Sequence, residues 1–134
     1  MNLGIAASAA VVLCLGTAHL VLTYAGSALH PRDSNLKQRM EGDSVHLNRT
    51  INVWRAWVGF NASHSLGLLL FGLIYGYLAT TQPQFLQDSP FLRTLGLLVL
   101  MSYWILAKLY WFRSPVIGIS LASALYIAGF LSLR

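Results

Sequence analysis

The chain has 134 residues, of which 56% are hydrophobic and only 10% charged, and its mean hydropathy is +0.60. Soluble domains carry roughly 25% charged residues, so the composition excludes an ordinary water-soluble domain, and the length allows one compact unit. The net charge of +5 reads as topology information and not as a nucleic-acid footprint, because the basic residues lie in connecting segments and no nucleic-acid-binding motif is present.

Four apolar segments follow one another, from about Leu3 to Tyr24, Val53 to Ala79, Phe91 to Phe112 and Pro115 to Leu133. Each approaches the roughly 20 residues that a helix needs to cross about 30 Å of hydrocarbon. The first lacks a basic leading region and exceeds a signal-peptide core in length, so it reads as a true span. Its single cysteine, Cys14, permits no disulfide within one chain and reads as a small apolar filler. The expected fold is an all-α membrane protein, an up-down bundle of four transmembrane helices in a single domain over 1–134.

One longer polar loop separates the first two helices, from about Ala25 to Asn52. Pro31 sets a turn there, Asp33 suits the N-cap of a short helix over Ser34 to Met40, and Gly42 suits its end. The loop carries Arg32, Lys37, Arg39 and Arg49, and the last connection carries Arg113. The positive-inside rule therefore puts loops 25–52 and 113–114 in the cytoplasm and both termini outside, as in a bacterial inner-membrane protein. Small residues such as Ala6, Ala9, Gly72, Gly118, Ala122 and Gly129 suit close helix packing in lipid. The same faces would serve a homo-oligomer or an accessory subunit of a larger membrane complex.

The second segment opens on Trp54-Arg55-Ala56-Trp57-Val58-Gly59-Phe60-Asn61-Ala62-Ser63-His64-Ser65. Polar groups entering a bilayer need a protein partner, a ligand or a water-filled pocket. Trp57, Asn61 and His64 recur at helical spacing and share one face, whereas Ser63 faces elsewhere. On the first helix His19 lies about 7 Å from His64 in depth, counted at the helical rise of about 1.5 Å per residue. The expected ligand-binding set is His64, Asn61, Trp57, His19, Arg55 and, from the third helix, Tyr103.

Three readings fit the two histidines. Neutral imidazoles can hydrogen-bond across helices to Asn61, Ser65, Thr23 or Tyr103. They can instead fix the polar head of a quinone-, sterol- or isoprenoid-like molecule whose body lies among aromatic rings. Or they can ligate a haem iron or a chlorin-type pigment. A closed zinc or di-iron site lacks ligands. The four carboxylates, Asp33, Glu41, Asp43 and Asp88, all lie in connections, which removes paired-acid catalysis and carboxylate-driven proton transport from the spans. No catalytic residue is assigned. The pattern Gly16-Thr17-Ala18-His19 resembles the Gly-x-x-His of DoxX-like proteins over those four residues, and no functional residue follows from it.

Overall fold

The computed structural model describes residues 1–132. The expected end of the fourth span at Leu133 and the basic tail residue Arg134 lie outside the described residues. In chain order the elements are α1 (Leu3–Tyr24), α2 (Ser34–Gly42), β1 (Ser44–Val45), β2 (Asn48–Asn52), α3 (Val53–Thr81), α4 (Pro83–Asp88), α5 (Pro90–Tyr110) and α6 (Arg113–Leu131). Four of these, α1, α3, α5 and α6, are long and apolar enough to cross a membrane. Their bounds follow the hydropathy pattern within two residues. Two elements were not legible there. The helix α4 starts on Pro83, which suits a first helical turn because proline lacks the N–H that would go unpaired. The ribbon β1–β2 pairs Ser44 with Asn52 and Val45 with Asn48, with an irregular register between them.

Local chemistry explains the helix ends. Asp33 caps α2 by accepting the Asn35 amide at 2.9 Å, as its position predicts. Asn52 caps α3: its Oδ1 accepts the Arg55 amide at 2.8 Å, and its Nδ2 donates to the Glu41 carbonyl at 3.0 Å. One side chain thereby starts α3 and ties it to α2. Asn2 caps α1, accepting the Ile5 amide at 3.0 Å. Gly26 holds φ +96°, a left-handed conformation that lets the chain turn away just after α1.

The described residues group into two compact units. The larger comprises Met1–Leu15 and the described residues from Leu68 onward, the smaller Gly16–Gly67. The core of the larger unit joins Ile5, Ala9 and Val12 of α1 to Phe71 and Tyr75 of α3, Leu100 of α5 and Tyr126 of α6. Small residues set these approaches. A Cβ added to Gly4 would lie 2.5 Å from the Gly129 Cα, so α1 and α6 meet backbone to backbone. A Cβ on Gly72 would lie 3.0 Å from the Ala9 carbonyl, a similar approach of α3 to α1. Asn2 closes the same end, donating its backbone N–H to the Ala79 carbonyl at 2.8 Å and its side-chain amide to Gly129 at 2.9 Å. The hydroxyls of Tyr75 and Tyr126 donate to the carbonyls of Leu92 and Arg93 in the first turn of α5. The start of α1, the end of α3, the start of α5 and the end of α6 therefore converge.

The smaller unit holds the end of α1, the polar connection and the first half of α3. Trp57 donates its indole N–H to the Leu29 carbonyl at 3.1 Å. Trp54 takes the His30 ring edge-on at 4.8 Å and the Lys37 ammonium at 5.0 Å. The two tryptophans pin the connection onto the start of α3. Glu41 pairs with Lys37 one turn away, at 3.6 Å.

Candidate functional site

Most polar side chains that enter α1 and α3 are satisfied by their own helix. Thr23 donates to the His19 carbonyl at 2.7 Å, Ser63 to Gly59 at 2.7 Å and Ser65 to Asn61 at 3.0 Å. A hydroxyl bonding back four residues satisfies itself without any ligand. Ser63 and Ser65 are thus accounted for by geometry within α3, and Ser63 is exposed while Ser65 is wholly buried. The unusual polarity of the segment narrows to His19, Asn61 and His64.

These three meet inside the smaller unit. Asn61 is only 1% exposed. Its Nδ2 donates to the Trp57 carbonyl at 2.8 Å, and its Oδ1 lies 3.2 Å from His19 Nε2. A carbonyl only accepts, so the Trp57 contact orients the amide with its NH2 toward Trp57. The amide oxygen then faces His19 and also only accepts, so His19 must donate through Nε2–H. In the neutral ring this puts the lone pair on Nδ1. The His64 ring lies edge-to-face with His19, with centroids 5.2 Å apart and planes at 67°. That is contact distance for such rings. The pair therefore presents two imidazoles side by side, one in an assigned tautomer.

The remaining expected residues have contacts of their own. Trp57 is 38% exposed, and its indole N–H is committed to Leu29, so it braces the connection. Its carbonyl, not its ring, is what orients Asn61. Arg55 is exposed in the first turn of α3. Nine residues before His64, at about 100° per residue, it lies on the opposite side of the helix. Tyr103 is half-buried on α5, in the larger unit, where it packs against the hydrophobic core. The connection supplies contacts that sequence periodicity does not reach, namely Leu29, His30 and Lys37 against the two tryptophans.

The geometry bears on the chemistry available. An iron held between His19 and His64 would require the two contacting rings to part, and it would meet His19 on the nitrogen that Asn61 does not use. Among the described residues no three His, Cys, Asp or Glu side chains form a metal-binding group. The carboxylates of the smaller unit have partners in the connection: Asp33, Glu41 and Asp43 are exposed there, where Asp33 accepts from Asn35, Glu41 pairs with Lys37 and Asp43 accepts from Ser44. The larger unit has its own apolar cavity of about 590 Å³ between α5 and α6, lined by Leu97, Leu100, Met101 and Ile127. Its Trp104 indole donates to Ser120 at 3.0 Å, and Ser123 donates to the Ile119 carbonyl at 2.8 Å, so its polar groups are internally satisfied. Compared with protein families, curated proteins and solved structures, the chain has a match in none of the three.

Proposed function

We propose that the protein is a four-span inner-membrane bundle that binds a small lipophilic molecule, quinone-, sterol- or isoprenoid-like, whose polar head is held by His19 and His64. The membrane reading is supported by the four apolar helices and by large apolar side chains exposed along them, including Leu70, Leu73, Ile74, Leu98, Ile105 and Leu121. Water would make such a surface an aggregation liability, whereas hydrocarbon solvates it. The alternating ends that converge on Asn2 and Gly129 support the up-down order. The connection 25–52 then faces the cytoplasm and both termini face outward.

The observation that carries the ligand reading is the His19–Asn61–His64 arrangement. A buried amide turned by the Trp57 carbonyl orients one imidazole beside a second, in helices that are mostly apolar. A few polar groups at fixed orientation in apolar surroundings are what recognition of a lipophilic molecule needs. The accessory-subunit reading draws less support, because Gly72, Gly118 and Gly129, small residues it relies on, are engaged within the chain.

The test is extraction and mass spectrometry of small molecules from the purified protein, with absorbance measured on the same sample. A lipophilic compound should co-purify and fall several-fold in His64→Ala. An extract indistinguishable from that of an unrelated membrane protein in the same detergent would sink the reading. A visible absorbance band would redirect it to haem or a chlorin.

A further inference from the structure

A concave site lies in the smaller unit, and none of His19, Asn61 and His64 lines it. The backbone N–H of His30 donates to the Ser27 carbonyl at 3.0 Å and closes a tight turn. Trp57 holds that turn through Leu29. Pro31 and Arg32 follow, and the first turn of α2 supplies Ser34 and Lys37. Together Ser27, His30, Pro31, Arg32, Ser34 and Lys37 line a cavity of about 560 Å³. Lys37 is held between the Trp54 ring and Glu41, and His30 is held by the same ring. His30 and Lys37 are therefore held in place before any ligand arrives, which lowers the entropic cost of binding. The α2 N-terminus contributes little to this site, because the Asp33 carboxylate already accepts the Asn35 amide in its first turn.

We propose that this cavity binds a phosphate ester group. Arg32 offers a fork of N–H donors matched to phosphate oxygens, Lys37 a second positive charge, and Ser27 and Ser34 hydroxyl donors. No carboxylate lines it. Two sources share this chemistry, the headgroup of an anionic phospholipid and a free phosphate. The lipid source rests on the membrane reading above, since basic groups beside a span attract anionic headgroups. The site uses none of His19, Asn61 or His64, so it stands or falls separately from the lipophilic ligand.

The full chain in dodecyl maltoside is titrated by calorimetry with dioctanoyl phosphatidylglycerol, with dioctanoyl phosphatidylcholine and with inorganic phosphate. Phosphatidylglycerol should bind, and Arg32→Gln should weaken it about tenfold, the loss expected for one charge-assisted contact. Arg49→Gln, an exposed arginine on β2 outside the cavity, should change it less than about twofold. Inorganic phosphate binding as tightly, with the same dependence on Arg32, supports the site and assigns the free anion as its source. Weaker binding of phosphatidylcholine supports the lipid source. The proposal is overturned if neither phosphatidylglycerol nor phosphate binds, or if Arg32→Gln and Arg49→Gln weaken binding equally.

Discussion

Asn61 assigns the tautomer of His19. Its amide is turned by the Trp57 carbonyl, at 2.8 Å, so that Oδ1 meets His19 Nε2 at 3.2 Å and can only accept. With Nε2–H committed to Asn61, His19 turns an acceptor, its Nδ1 lone pair, to any further partner, which suits a hydroxyl head and not a carbonyl.

That assignment is measurable. Nitrogen NMR of the histidine-labelled protein should report neutral His19 as the Nε2–H tautomer. In Asn61→Leu that preference should relax. Finding Nδ1–H in the unaltered protein would break the chain from Trp57 through Asn61 to His19.

The same substitution has a stability cost. Asn61→Leu removes a buried amide that bonds both the half-buried His19 ring and the Trp57 carbonyl, which costs about 1–3 kcal/mol. Ser63→Ala deletes an exposed hydroxyl that bonds only within its own helix, and should change stability by less than about 0.5 kcal/mol. Thermal unfolding of both variants in one detergent compares them. Equal shifts would mean that the buried cluster has no special weight.

Glycine substitutions should split by contact. Gly4→Ala drives a methyl into the Gly129 backbone, which has no side chain to move aside, and should destabilise by about 1–3 kcal/mol or prevent assembly. Gly59→Ala meets nothing within 4 Å and should be neutral or stabilising by up to about 1 kcal/mol, through helix propensity. Melting temperatures that order the two variants the other way would contradict the α1–α6 contact.

Trp57→Phe keeps the ring but loses the hydrogen bond to Leu29, worth about 1 kcal/mol. The connection should then detach more often from α3. Trypsin should cut faster at Arg32, Lys37 and Arg39, with little change elsewhere. Unchanged cleavage would show that Trp57 does not pin the connection.

Orientation in the membrane is open to cysteine labelling on a Cys14→Ser background. An impermeant thiol reagent applied to intact cells should label Gln84→Cys, in α4, and spare Gln38→Cys, in α2. The reverse pattern would invert the topology, and equal labelling of both would argue against a spanning arrangement.

The amino-acid sequence by itself determined the four long helices, the short capped helix after Asp33, and the separation of Asn61 and His64 from Ser63. These depend on periods of a few residues and on capping chemistry, which act over one or two turns of chain. Hydropathy cannot detect the ribbon Ser44–Asn52, whose strands bury little, or the proline-led α4, whose six residues are too few to show a period. Only the tertiary structure decided which member of the Trp57–Ser65 stretch touches what. The contact of His19 with Asn61 joins residues 42 apart, and that of Trp57 with Leu29 joins residues 28 apart. No local rule states that the Trp57 indole turns toward the connection while its carbonyl turns the Asn61 amide. That division follows from where the end of α1 and the polar connection pack against α3, which fixes hydrogen-bond direction only once the segments are in place.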